Sequence, residues 1–398
     1  MEHKTRIKGN VHYVGVNDRN KHRFEGMWPL PYGVSYNSYL IDDEMVALID
    51  TVDICYFEVY LRKIKQVIGE RPINYLIINH MEPDHSGSIR LIKQHYPEII
   101  IVGNKQTFGM IEGFYGVTGE QYLVKEGDFL ALGHHKLRFY MTPMVHWPET
   151  MMTFDETDGV LFSGDGFGCF GTVDGGFLDT RINVDKYWGE MVRYYSNIVG
   201  KYGSPVQKAL QKLGGLPISA ICSTHGPVWT ENIAKVIGIY DRLSRYDADE
   251  GVVIAYGSMY GNTEQMAEAI AEELSAQGVK NIVMHNVTKS HPSYIIADIF
   301  RYKGLIIGSP TYSNQIFPEV EALLSKILLR EVKGRYLGYF GSFAWAGAAV
   351  KRLAEFAEKS KFELIGDPVE MKQAMKDLTY TQCENLARAM ADRLKKDR

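Results

Sequence analysis

The segment His80-Met81-Glu82-Pro83-Asp84-His85 follows directly on the apolar run Leu76-Ile77-Ile78-Asn79. Four potential metal ligands therefore stand at the carboxyl end of a predicted strand, where the loops of an α/β sheet present side chains into a shared crevice. A spacing of this kind arises by chance on the order of once in a thousand sequences of such composition, which makes a solvated polar loop the poorer reading. Pro83 stiffens the loop, and Ser86-Gly87 opens the helix behind it.

Three more predicted strands end on ligand-type residues. Leu137 to Pro143 leads to His146 in His146-Trp147-Pro148-Glu149-Thr150, Val160 to Gly164 leads to Asp165, and Ile218 to Cys222 leads to His225 in Ser223-Thr224-His225-Gly226-Pro227. A lone histidine at a strand end is more simply a hydrogen-bonded structural residue. Joined to the cluster, however, these residues make four imidazoles and three carboxylates, enough for two metal ions with one carboxylate shared and an open position on each. His134 and His135 lie side by side in a turn. With His3, His12, His22, His95, His285 and His291, which lack ligand-spaced partners, they read as structural or surface residues.

The chain around this cluster has ordinary globular composition. Its 398 residues carry 44 Lys plus Arg against 48 Asp plus Glu, a net charge of −4, with 45% apolar residues. At about 150 residues per domain the length suggests two or three domains. The near-neutral balance argues against a nucleic-acid surface, which needs clustered cations. The start, Met1 to Asn10, is polar, and no apolar run is long enough to span a bilayer, so a cytoplasmic protein without membrane attachment is expected. Cys55, Cys169, Cys222 and Cys383 are far apart, which excludes a disulfide framework or a sulfur-ligated iron site.

Apolar runs alternate with helices from Ser38 to Cys222, and a hairpin is expected where Met151 to Phe154 and Val160 to Phe162 flank a polar Asp/Gly turn. A helix is predicted over 186–201. The charged segment Tyr246 to Gly251 changes the rhythm, which places the boundary between domains at 1–250 and 251–398. Beyond it, predicted strands at 252–256, 281–287, 304–307, 336–340 and 363–365 alternate strictly with helices, the pattern of a doubly wound parallel sheet.

The first of these strands runs into Gly257-Ser258-Met259-Tyr260-Gly261-Asn262-Thr263, which opens a helix. The Ser258 and Thr263 hydroxyls and the amides at the helix N-terminus suit a terminal phosphate monoester. Neither a nucleotide-hydrolysing nor a dinucleotide motif is present. The third strand ends in Ser309-Pro310-Thr311-Tyr312-Ser313-Asn314 and the fourth in Ser342-Phe343-Ala344-Trp345-Ala346-Gly347. In a sheet of flavodoxin order these loops meet where FMN sits, with Tyr312 and Trp345 placed to flank its ring.

The H-x-E-x-D-H loop followed by His, Asp and His resembles the metallo-β-lactamase fold, whose hydrolases carry H-x-H-x-D-H. Glu82 stands here for the second histidine, and a hard carboxylate oxygen shifts preference from zinc towards iron or manganese. With a flavodoxin-like domain behind it, the whole chain resembles the flavodiiron proteins, also called A-type flavoproteins or rubredoxin:oxygen oxidoreductases. The resemblance implies an αββα diiron domain followed by a flavodoxin-like FMN domain. It implies one iron on His80, Glu82 and His146, a second on Asp84, His85 and His225, and Asp165 as the bridge.

The activity it implies is reduction of dioxygen to water, or of nitric oxide to nitrous oxide, with electrons passed from FMN. It also implies head-to-tail dimers or dimers of dimers. No rubredoxin module follows the flavodoxin-like part, so an external donor is expected: a rubredoxin, with a reduced deazaflavin as the second candidate. Two departures leave the choice of substrate open. Arg23-Phe24-Glu25-Gly26 lacks the histidine that many members hold over the diiron pocket, and Gly166 to Gly171 lacks the histidine often found nearby and carries Cys169, a residue able to alter the pocket. Tyr194 and Tyr195 each suit either a hydrogen bond to the site or the core. Two other classes compete with the reductase: a dinuclear metal hydrolase with a regulatory flavodoxin-like domain, and a non-catalytic redox sensor.

Overall fold

The computed structural model describes residues 5–397, which divide between Ser244 and Arg245 into two compact units. Short, wholly apolar segments build the first. Ala47–Ile49, Tyr75–Ile77 and Ile100–Gly103 pair in parallel inside a seven-stranded sheet, with Leu48 beside Leu76 and Ile77 beside Val102. Buried on both faces, such strands read as continuous rather than alternating apolar runs. A second, five-stranded sheet contains the hairpin Met151–Asp155 and Val160–Gly164, antiparallel as the turn segment predicts, with Ala220–Ser223 parallel to its second arm.

Ile49, Ile77 and Val102 of one sheet share a core cluster with Phe139, Met151 and Phe162 of the other, so the two sheets pack face to face. The helix Phe57–Ile68 buries Phe57, Tyr60, Leu61, Ile64 and Ile68, one stripe at helical spacing. The Tyr60 hydroxyl reaches Ser38 at 2.7 Å and fixes that stripe to the sheet. Because Val160–Gly164 and Ala220–Ser223 run parallel, Asp165 and His225 leave at one rim. Asp50 and His80 likewise follow the parallel strands Ala47–Ile49 and Tyr75–Ile77.

One helix differs from its predicted course. The α-helix Asp185–Tyr194 ends where the prediction continues, and Tyr195–Val199 form a π-helical turn closed by Gly200. The wider turn places the adjacent tyrosines on different surroundings, which a uniform helical period cannot anticipate.

The second unit has the strand order Ile282–Asn286, Asp249–Tyr256, Tyr302–Tyr312, Tyr336–Phe343 and Glu363–Leu364, all parallel. This is the doubly wound order with its switch point between the first and third strands. Tyr302–Tyr312 and Tyr336–Phe343 run further than predicted, so Ser309 to Tyr312 and Ser342 to Phe343 lie on strands rather than loops. The fifth position is shared. Val369–Lys372, absent from the predicted elements, pairs with the end of Tyr336–Phe343 beyond the two-residue strand Glu363–Leu364.

Met266, Ile270 and Leu274 on the helix Asn262–Ala276 are fully buried with Leu386 and Met390 of the last helix, and truncating one of them to Ala costs about 2–5 kcal/mol. At the other end of the sheet, Arg335 is buried and its guanidinium donates to the carbonyls of Ile299, Phe300, Lys333 and Tyr246 at 2.6 to 2.9 Å. Burial pulls its pKa down to about 10. His3 lies outside the described residues. No helix among the described residues is long and apolar enough to cross a membrane.

Candidate metal centre and cofactor cleft

All seven residues singled out in the first unit meet in one buried place. Asp84 and His85 stand on a short helix, Pro83–Ser86, rather than in an open loop, with Pro83 supplying the first helical φ. The seven form two sets. His146 Nε2 lies 3.1 Å from Glu82 Oε2, 3.4 Å from His80 Nε2 and 2.9 Å from Asp165 Oδ2. His85 Nε2 lies 3.3 Å from Asp165 Oδ1, and His225 Nε2 3.3 Å from Asp84 Oδ2. Asp165 therefore turns one carboxylate oxygen to each set.

The chemistry of this donor set fits two cations. Both oxygens of Asp84, both ring nitrogens of His85 and Nε2 of His225 are buried without a hydrogen-bond partner. Ring nitrogens and carboxylate oxygens a few ångströms apart, without hydrogen bonds to satisfy them, form a group that could hold a metal ion. The electrostatics point the same way. Burial and the Glu82 charge push the Asp84 carboxyl up. Burial presses on Glu82 too, but the imidazoles of His146 and His80 hold it down at about 2. Burial opposes the charge of His85, yet Asp84 and Asp165 raise it to about 10. Three carboxylates in one buried place draw positive charge by protonating histidines, the role a cation fills when bound.

Several supporting residues are not marked by the sequence pattern. Glu149 Oε1 lies 2.7 Å from His80 Nδ1 and accepts the Met81 amide at 2.9 Å. His225 Nδ1 donates to the Ser35 carbonyl at 2.8 Å, and the Thr224 hydroxyl donates to Asp165. Asp50 takes the amide of Asn79 at 2.8 Å and its side-chain NH2 at 3.2 Å, which fixes the loop entering His80. Glu149 falls three residues after His146, and that spacing was its only sequence signal.

A cavity of about 460 Å³ leads to Glu82 and Asp84, with Lys21, Phe24, Glu25, Asp53, Ile54 and Phe114 among its walls. Phe24 packs edge-on against His225 at 5.3 Å. Glu25, in the stretch that lacks the histidine, accepts the Trp28 indole N–H at 2.9 Å. Tyr194 lies 5.8 Å from the His225 ring with its hydroxyl buried and unpartnered, while Tyr195 packs edge-on against Tyr240 at 5.1 Å. Burial and the Asp165 charge keep the Tyr194 phenol protonated. Cys169 is buried, and its sulfur occupies the space that a Cβ at Gly226 would need, so it is a packing residue. His135, read as structural, is buried and paired with Asp155 at 2.9 Å.

In the second unit a cleft of about 430 Å³ lies at the carboxyl ends of the strands. Met259, Tyr260, Asn262, Pro310, Thr311, Tyr312, Asn314, Ser342, Phe343, Ala344, Trp345 and Ala346 line it, joined by Ser313 and by Gln373, which directly follows the strand that the prediction lacks. Ser258, Gly261, Thr263, Ser309 and Gly347 are not on its wall. The Ser258 hydroxyl accepts the Gly261 amide at 3.1 Å, Thr263 pairs with Ser342 at 2.8 Å, and Ser309 accepts the Phe317 amide at 3.2 Å. Thr311 accepts the amides that begin the helix Ala349–Ser360. Tyr260 is 91% and Trp345 82% exposed, which excludes a packing role for either. An apolar slot flanked by exposed aromatics beside a helix N-terminus fits a planar ring carrying a phosphate.

The model of the ODP family beta lactamase matches residues 34–226, and that of flavodoxin matches residues 254–385. The chain is 33% identical over 363 residues to an anaerobic nitric oxide reductase flavorubredoxin of Vibrio vulnificus, covering 90% of this chain and 73% of that protein. Among solved structures, the rubredoxin oxygen:oxidoreductase of Desulfovibrio gigas superposes with a TM-score of 0.94 at 31% identity over 98% of both chains. The flavodiiron protein of Giardia intestinalis superposes with a TM-score of 0.91 at 27% identity, over 98% of this chain and 97% of its own.

Proposed function

The chain belongs to the flavodiiron protein family, and on that premise we propose that it is an oxidoreductase that reduces dioxygen to water or nitric oxide to nitrous oxide. In this reading His80, Glu82 and His146 hold one iron, Asp84, His85 and His225 hold the other, and Asp165 bridges them. The observation that carries it is the division of Asp165, with Oδ2 2.9 Å from His146 Nε2 and Oδ1 3.3 Å from His85 Nε2. Glu82 in place of an imidazole favours iron over zinc. The cleft of the second unit would hold FMN, with Tyr260, Tyr312 and Trp345 available to its ring.

When bound, the iron pair supplies adjacent redox sites for both atoms of O2 or for two NO molecules, and FMN supplies the electrons. The chain's own residues prepare that site. Glu149 holds His80 in the tautomer whose Nε2 is free for metal, and the Ser35 carbonyl does the same for His225. Phe24 and Phe170, packed at 5.5 Å, exclude water on the side of His225. The Tyr194 O–H, buried and kept protonated, is an unpartnered hydrogen-bond donor beside the His225 ring. The apolar walls Phe24, Ile54 and Phe114 suit small uncharged gases. Electrons come from a rubredoxin or another small donor, and the protein acts as a homodimer.

Protein produced with iron and handled without air should carry two irons and one FMN per chain and consume O2 or NO through many turnovers. His146→Asn should abolish consumption while FMN stays bound. Two zincs and no iron would move the assignment to a hydrolase, and one oxidation per chain to a sensor.

A further inference from the structure

Beside the candidate metal centre, two side chains are left with unmatched polar groups of opposite kind. Neither oxygen of Asp84 has a hydrogen bond, whereas Glu82, Asp165 and Glu149 each engage at least one. Tyr36, at the end of the strand Val34–Tyr36, has no exposed surface, and its hydroxyl has no partner. An acceptor and a donor orphaned in the same buried place each cost about 1–3 kcal/mol, unless a further component completes the arrangement.

The surroundings fix where that phenol stands. Its ring meets the His225 ring at 6.0 Å and 70°, and His225 Nε2 is 3.3 Å from Asp84 Oδ2. On other sides Tyr56 lies at 6.4 Å and the Lys21 ammonium at 5.3 Å from the ring. Phe24 closes the far side of His225 at 5.3 Å. A phenol carries its proton at neutral pH and is a donor as it stands, and the His225 ring it packs against is the one whose Nε2 faces Asp84. A metal ion that takes one Asp84 oxygen leaves the other needing a donor, and carboxylate ligands are oriented by such hydrogen bonds.

We infer that Tyr36 is a positioning residue for the second metal: its O–H donates to the Asp84 oxygen that the ion leaves free and so holds this carboxylate to ligation through one oxygen. The inference rests on the ligand assignment proposed above. Without the hydroxyl, Asp84 turns both oxygens to the ion or swings away, and either movement changes the coordination number at the Asp84, His85 and His225 set alone.

The test is titration of the full chain, FMN bound and iron removed, with Co(II) in the absence of air, followed through the cobalt visible bands. The wild type should take up two equivalents. In Tyr36→Phe, which keeps the ring packed on His225, one equivalent should bind as in the wild type, whichever site fills first. The other should bind about 10–100-fold more weakly, with altered band intensity and unchanged FMN content. Two equivalents both identical in affinity and spectrum to the wild type overturn the role of Tyr36 and leave the ligand assignment standing. A wild type that takes up fewer than two equivalents overturns the assignment and the inference together. If the variant does not fold, the wild type decides: its tyrosine ultraviolet bands should shift with one of the two equivalents, and no shift with either refutes the role.

Discussion

His80 and Glu149 are joined by a 2.7 Å contact between Nδ1 and Oε1, with neither side chain exposed. Glu149 also accepts the Met81 amide, so one carboxylate sets both the ring and the backbone of the loop that carries Glu82. Replacing Glu149 by Ala should lower iron affinity about 10–100-fold. Metal content after dialysis against a weak chelator measures this, and full retention of iron would refute the orienting role.

Tyr194→Phe removes one hydroxyl and leaves the packing against Phe170, 5.0 Å away, in place. Turnover with O2 or NO should fall about 100–1,000-fold, the range seen when one preorganised donor is lost. Iron and FMN contents should be those of the wild type. Unchanged kcat with both gases would make Tyr194 a core residue only.

The His135 to Asp155 pair gives a pH dependence of stability. Burial opposes the imidazolium, but the Asp155 hydrogen bond and charge raise its pKa above the ordinary value. A raised imidazole pKa contributes stability that is complete below about 6.5, the unfolded value, and disappears as pH rises through the folded value. His135→Leu should therefore cost about 3–5 kcal/mol near pH 6, since it leaves Asp155 buried and unpaired. The difference from the wild type should narrow as pH is raised. Urea unfolding at several pH values reads it, and a constant difference would contradict the charge state assigned to the pair.

Trp345 is 82% exposed on the wall of the second unit's cleft. Trp345→Ala should weaken FMN binding about five- to tenfold, the worth of one aromatic contact, without changing iron content. Fluorescence titration of the FMN-free protein checks this, and an unchanged Kd would remove Trp345 from the ring contact.

The cluster of candidate ligands was legible because its residues are either adjacent in sequence, as from His80 to His85, or placed singly where an apolar run stops, as Asp165 and His225 are. What supports them was not. The carbonyl of Ser35 that orients His225 is 190 residues away from it in the chain, and no local period reports such a contact. Tyr36 escaped for the same reason. In the fold, the alternating strands of the second unit were readable, whereas Arg6–Lys8 and Val11–Tyr13 are too short to show a period. The split fifth strand hid because Glu363–Leu364 ends before the chain turns back into the sheet at Val369. Tyr194 and Tyr195 were indistinguishable until the π-helical turn after Tyr194 separated them.

Arg335 also says where the second unit can be cut free. Its guanidinium spends one donor on the carbonyl of Tyr246, which lies ahead of the strand Asp249–Tyr256 and outside the range 251–398 suggested by composition. A fragment begun at 251 would lack that acceptor, leaving the same guanidinium nitrogen only the carbonyls of Lys333 and Gly334. One begun at 245 keeps it, and is the piece to express when the cleft is to be studied on its own.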